Sequence, residues 1–264
     1  MGLRLSILVL VLISCGQRKL TIGDLKFPDP ERKGIVRNGV KEMMGVPSMQ
    51  ISSADTTLHN IYDKIGRSVT ISPYPGDKMF YRYDSMSLPD SLTVVDWDVY
   101  MHYKIIPTFD EETTVLYLYY FDPHFKADRY VEKLMFDKSG RLEKLDRHYI
   151  KHTAFKNIPA FKALNSKPEY SVTYFYDDRG RLVKDSCDYD YVVVRKYFYS
   201  DRLDSMLYTR TDRARFFEKQ KTYYGADELR KSTSVTVVDR HFDRGKNTEG
   251  TEYSYTIAYH YRKW

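Results

Sequence analysis

Tyr176-Asp-Asp-Arg-Gly-Arg-Leu182 and, upstream of it, Phe136-Asp-Lys-Ser-Gly-Arg-Leu142 share one pattern: an aromatic residue, Asp, two polar residues, Gly, Arg, Leu. Tyr62-Asp-Lys-Ile-Gly-Arg-Ser68 repeats it with Ile at one polar position and Ser in place of Leu. The physics of the pattern is that of a β-hairpin. An Asp side chain accepts backbone N–H groups across a type I turn, Gly takes the left-handed position and forms a bulge, and Arg-Leu opens the returning strand. A side chain at the left-handed position costs about 1–2 kcal/mol, so Gly66, Gly140 and Gly180 are the expected positive-φ residues. Tyr199-Ser-Asp-Arg-Leu203 is a shortened version without Gly, and Tyr224-Gly-Ala-Asp-Glu-Leu229 is altered further.

Working outward from these turns, Tyr, Val, Phe and Thr recur in short runs, TTVLYLYYF, YSVTYFYDD, YVVVRKYFYS, TSVTVVDRHF and TEYSYTIAYHY among them. Such runs between Gly and Asp clusters read as strands, and 25 Tyr with 13 Phe is β-rich composition. Helical periodicity is scarce. It is best over residues 153–164, where Pro159 interrupts it. Asn38-Gly39 lies between two short alternating runs in IVRNGVKEMM and reads as a two-residue hairpin turn. The expected fold class is all-β: an antiparallel sheet of successive hairpins, a curved open sheet or barrel-like, with little helix.

The turn stretches resemble the YD repeat of Rhs-type shells and of many bacterial envelope lipoproteins, where Tyr-Asp-x-x-Gly-Arg-Leu marks successive hairpins. Phe136 stands in the Tyr position of one copy, the upstream Gly of the fuller repeat is missing, and the spacing of copies is uneven. The resemblance implies architecture and transfers no catalytic residue.

The N-terminus carries an address. Arg4 precedes an apolar run over residues 5–13 broken only by Ser6, and small Ser14 stands before Cys15. Charged, apolar, small is the order of a secretory signal, and the run is far shorter than the roughly 20 residues of a spanning helix. Leu12-Ile13-Ser14-Cys15 resembles the lipobox of bacterial lipoproteins, which implies lipidation of Cys15 and a cut before it. One acyl chain holds only marginally, so stable anchoring takes several. The expected organisation is a signal peptide over 1–14, a polar tether over 15–33 and an all-β domain over 34–264. The expected location is the cell envelope of a bacterium, lipid-anchored, at the outer membrane.

The formal net charge of +6 on 264 residues, of which Arg4 would leave with the signal, is spread thinly. It favours contact with anionic surfaces and matches no nucleic-acid module. With Cys15 lipidated, Cys187 is the one remaining thiol, so no intrachain disulfide is expected. In DSCDYDYVVV it alternates with Tyr189, Tyr191 and Val193 and reads as a small core residue. His148 and His152 lack the Glu of a zinc-protease helix and on a strand would stand about 13 Å apart, so they read as a surface pair. No metal or cofactor site is expected.

Asp96-Trp-Asp98 and Asp188-Tyr-Asp190 each place two acids on one strand face, about 6.6 Å apart. A glycoside hydrolase uses carboxyl separations of about 5–9.5 Å, so these four are the candidate carboxylates of an enzyme. Alternation in any half-buried sheet produces the same pairs. No phosphate loop, nucleophile elbow or Cys/His constellation is present. The expected function is non-catalytic, binding an envelope glycan or protein partner or giving structural support, with a glycan-acting hydrolase as the alternative. The closing strand EYSYTIAYHYRKW with its Trp264 also raises an outer-membrane barrel, against which the Arg, Lys and Asp scattered through the strands speak.

Overall fold

The computed structural model describes residues 19–48, 58–74, 77–85, 88–96, 99–124, 127–149, 167–189, 191–212, 216–239, 242–243, 246–247 and 251–264. Cys15 and the helix candidate at 153–164 lie outside them. The chain is all-β. After a 3-10 turn (Ile22–Asp24) and one short helix α1 (Arg32–Arg37) come strands β1 (Val40–Pro47), β2 (Leu58–Tyr62), β3 (Ser68–Tyr74), β4 (Asp77–Tyr83), β5 (Pro89–Asp96) and β6 (Val99–Asp110). They continue as β7 (Val115–Asp122), β8 (Ala127–Phe136), β9 (Leu142–Tyr149), β10 (Tyr170–Tyr176), β11 (Leu182–Asp188) and β12 (Tyr191–Tyr199). The last are β13 (Leu203–Asp212), β14 (Phe216–Tyr224), β15 (Arg230–Asp239), a two-stranded ribbon β16 (Phe242–Asp243) and β17 (Lys246–Asn247), and β18 (Thr251–Lys263).

Every neighbouring pair is antiparallel. β18 pairs with both β15 and β1, and β1 with β2, so the ring closes into a barrel of sixteen strands. Closure removes the unpaired edges an open sheet would expose. Successive side chains alternate between the two faces, and burial follows that period except on β7, where Val115, Tyr117 and Tyr119 are buried with Val131 on the outward face as well. Leu116, Leu118, Tyr120, Leu134 and Phe136 are buried on the inward face in one cluster. Leu182, Tyr197, Leu203 and Met206 form another, and Met43, Tyr62 and Leu229 a third. On the outward face Met44, Phe80, Tyr100, Phe175 and Phe198 are exposed, but so are Lys78, Lys104, Lys196, Lys219 and Lys221. The described outward positions thus mix apolar side chains with exposed lysines.

The repeated motif makes the hairpins and also joins them. Gly66, Gly140 and Gly180 have φ of 79°, 77° and 74°. In each copy the Asp carboxylate accepts the backbone N–H of the Arg four residues on and pairs with that arginine's Nε, at 2.6 Å for Asp63–Arg67, 2.7 Å for Asp137–Arg141 and 2.8 Å for Asp177–Arg181. The arginine, so held, lies over the motif tyrosine of the next such hairpin: Arg67 over Tyr83 at 4.4 Å, Arg141 over Tyr176 at 5.1 Å, Arg181 over Tyr199 at 4.6 Å. Each of those tyrosines donates its hydroxyl back to the first carbonyl of the preceding returning strand, Tyr83 to Ser68 and Tyr176 to Leu142 at 2.8 Å, Tyr199 to Leu182 at 2.9 Å. Tyr83-Asp84 is a further copy that the glycine pattern does not reveal: Leu88 N–H donates to the Asp84 carboxylate and its carbonyl accepts the Asp84 N–H. In the Tyr224 turn the roles are reversed. Gly225 takes the Asp position and Glu228 the left-handed one, at φ 61°.

The motif acids give the barrel an acid-labile component. Burial acts to raise Asp63 and Asp137, but backbone N–H groups and the Arg67 or Arg141 guanidinium outweigh it and hold both below the ordinary carboxylate value. At Asp177 the Arg181 N–H is the largest influence, with the same direction. A carboxyl depressed in the folded state stabilises above its unfolded pKa of about 3.9 and loses that contribution as pH falls through the folded value. The stabilisation that these three carboxyls give is therefore expected to hold down to about pH 5 and to decline below about pH 4, read as a fall in Tm. A Tm that does not decline below pH 4 would contradict the turn geometry.

Three expectations are corrected. Asn38-Gly39 is not a hairpin turn. It ends α1, with Gly39 N–H donating to the Val36 carbonyl and Gly39 at φ 59°, because the preceding residues coil instead of extending. The segment expected as a tether is, from Lys19, part of the folded domain: Ile22 and Leu25 pack on the inward core, and Lys26 bonds the backbone on both sides of Arg141. His148 is buried on the outward face of β9 and is not a surface residue. Asp96 ends β5 and Asp188 ends β11; Asp98 and Asp190 lie outside the described residues.

Candidate functional site: a cationic cleft at the turn end

The two ends of the barrel differ. One gathers the motif turns, α1 and Trp264, whose N–H donates to the Gly39 carbonyl. Across this end runs the 19–38 segment. It is held at Gly140, at Ile65, whose carbonyl accepts Arg32 Nε at 3.0 Å, and at Glu228, paired with Arg37 at 3.2 Å. The turn glycines admit it: a Cβ on Gly140 would fall on the Asp24 carbonyl, and one on Gly66 on the Val36 side chain.

Between Lys26, Phe27, Pro28 and Lys33 of that segment and the turns at Arg141, Arg181 and Arg202 opens a cleft of about 640 Å³. Arg179 lines it as well, against the acids Asp29, Asp178, Asp201 and Glu228. The aromatic surface is Phe27, set edge-on to Phe136 and 43% exposed, with Tyr176 and Tyr199 beneath their arginines. Burial, before any neighbour, pushes both tyrosines up to about 12, so neither ionises in the physiological range. At Asp29 burial and then Glu31 raise the carboxyl above its ordinary value. Guanidiniums fixed by their own aspartates beside an aromatic floor suit a planar or multidentate anion.

The inward face holds three clusters in which a carboxylate pairs with an arginine and a tyrosine. Glu132 takes Arg147, the Tyr120 hydroxyl at 2.8 Å and the Tyr170 hydroxyl at 3.3 Å, while Arg147 lies over Tyr130 at 4.4 Å. Asp185 takes Arg195 at 3.1 Å and Tyr197 at 2.9 Å. Glu31 takes Arg230 at 2.7 Å and the Tyr224 hydroxyl, closing the 19–38 segment onto the barrel interior. The tyrosine richness thus serves the interior more than an exposed binding face. Cys187 faces inward opposite Val172 and Val193, half-buried, and burial raises its thiol above the ordinary value, as befits a packing residue.

Of the sequence candidates, Asp188 is exposed on the outward face. Asp96 lies at the end opposite the cleft, six strand steps from Asp188, about 29 Å along the wall. The described acids of the two pairs are therefore not brought together. Among the described residues no group of three or more His, Cys, Asp or Glu could hold a metal. What sequence reading missed is the 19–38 segment as one wall of the cleft. Leu20, Ile22, Leu25 and Phe27, apolar residues at short spacing, were the available signal.

The fold and cleft define a closed antiparallel barrel of motif hairpins capped at one end by its own N-terminal segment. No protein-family model and no curated protein matches the chain. Among solved structures it is similar to a porin-like protein from Bacteroides uniformis, with a TM-score of 0.36 and 10% identity over 90% of this chain and all of that one. It is also similar to a chain of the TcdB2-TccC3-Cdc42 structure, with a TM-score of 0.25 and 11% identity over 75% of this chain and 12% of that one. At these scores the fold rests on the strand pairing itself.

Proposed function

We propose that this chain is a lipid-anchored protein of a bacterial outer membrane, tethered at Cys15, whose barrel is a non-catalytic module that binds an acidic saccharide in the turn-end cleft. The observation that carries the reading is the cleft lining: Lys26, Lys33, Arg141, Arg179, Arg181 and Arg202 beside Phe27. The inward carboxylates are in keeping with it, since Glu132, Asp185 and Glu31 each already hold an arginine and a tyrosine hydroxyl. Exposed lysines on the outward strands favour a lipid anchor over a lipid-embedded wall.

Two measurements test this. Mass spectrometry of the processed chain is expected to find acylated Cys15 at its N-terminus, and an unmodified Cys15 would end the anchor claim. On a glycan array the protein is expected to retain acidic saccharides unchanged, more weakly as salt rises, and Arg179→Glu with Arg202→Glu is expected to lose about tenfold or more in affinity. Cleavage products that vanish in Asp96→Asn or Asp188→Asn would instead establish the hydrolase.

A further inference from the structure

At the turn end, away from the cleft, three large apolar side chains stand exposed next to one another. Val36 on α1 is 46% exposed, Ile65 in the β2–β3 turn 45%, and Trp264 56%. They share one region of that end, because Gly66 packs directly beside Val36, Trp264 is bonded to Gly39 at the end of α1, and Lys64, next to Ile65, reaches the Trp264 ring. Lys41 lies over the Trp264 ring at 5.0 Å and Lys64 at 5.9 Å. An indole and two aliphatic side chains with lysines at their rim is the composition that settles at a bilayer interface, ring at headgroup depth and ammonium groups among the phosphates.

The anchor brings that surface within reach. Only residues 16–18 separate Cys15 from Lys19, a span of at most about 14 Å. The described chain begins beside the β8–β9 turn, where Leu20 lies near Gly140, whereas Val36, Ile65 and Trp264 gather at the β2–β3 turn and the β18–β1 junction. In the order of strands around the ring these are on opposite sides. Two attachments on opposite sides of one end fix the orientation of the whole barrel.

We infer that the turn end of the barrel docks on the anionic bilayer surface, Trp264, Ile65 and Val36 entering the interface and Lys41 and Lys64 pairing with headgroup phosphates. The inference rests on the anchored reading above and extends it. The cleft then faces the same surface, and the acidic saccharides it takes are those carried there.

The test uses the full chain processed in a bacterial host, with Trp97→Phe so that Trp264 is the one indole, in vesicles of phosphatidylglycerol and phosphatidylethanolamine with brominated acyl chains. Trp264 is expected to emit further to the blue and to lose about half of its intensity to the bromines, as an interfacial ring does. Lys41→Glu with Lys64→Glu is expected to restore most of that emission. Acylated Cys15 with an unquenched Trp264 overturns the docking and leaves the anchor standing. If mass spectrometry shows Cys15 unmodified, the anchor fails, and docking is judged on that same chain added to the vesicles at low salt: quenching supports it, none overturns it. Quenching untouched by the two glutamates overturns the role given to the lysines.

Discussion

Glu132→Ala is expected to be the most damaging single substitution on the inward face. It leaves Arg147 without its counter-ion and removes the acceptor of the Tyr120 and Tyr170 hydroxyls. Breaking a buried pair by removing one partner costs about 3–5 kcal/mol. Arg147 keeps 30% of its side-chain exposure, which places the expected loss near 3 kcal/mol, a drop in Tm of about 6–12 °C for a domain of this size. Glu132→Gln, which still accepts hydrogen bonds, is expected to lose less. Glu132→Met with Arg147→Met, which removes both charges together, is expected to recover most of the stability. A Glu132→Ala protein melting within a degree of the parent would show that the cluster does not hold the wall together.

Gly140→Ala and Gly180→Ala are expected to diverge although both glycines occupy the same place in the motif. Both have positive φ, so alanine costs each about 1–2 kcal/mol. At Gly180 the nearest atom to the new methyl is the flexible tip of Arg141, at 3.5 Å. At Gly140 the methyl lands on the Asp24 carbonyl, and the 19–38 segment must lift, giving up the Lys26 backbone bonds and the packing of Ile22 and Leu25. Gly180→Ala is expected to lower Tm by about 2–8 °C. Gly140→Ala should fall further and also open residues 19–28 to proteolysis, read by mass spectrometry of a limited trypsin digest. Equal melts and an equally protected segment would contradict the path of the segment across the turns.

Why one motif copy was readable and another was not follows from where the signal resides. The hydrogen bonds of Asp137 and Asp177 fall within four residues, and the glycine requirement is a property of the backbone alone, so both turns were legible. Tyr83-Asp84 makes the same bonds to Leu88 without glycine, so the residue pattern does not mark it. Asn38-Gly39 fails for the opposite reason. The dipeptide permits positive φ in a hairpin and at a helix end alike, and only the packing of Ile35 and Gly34 against the barrel selects the helix. The aspartate pairs presume an unbroken strand, whereas β5 ends at Asp96 and β11 at Asp188.

By itself, the sequence determined the antiparallel hairpin class, the turn positions and the glycines that must adopt left-handed geometry, since each is decided by interactions within about seven residues of chain. The tertiary structure alone decided the rest. Whether β1 meets β18 depends on the twist accumulated over all sixteen strands, and closure in turn settles which face is interior. That same closure brings Glu31 to Tyr224 and Arg230, 193 and 199 residues away, and lays the polar segment expected as a tether over the turns, where it becomes one wall of the cleft. No local pattern carries those pairings, because they arise only when the far ends of the sheet come together.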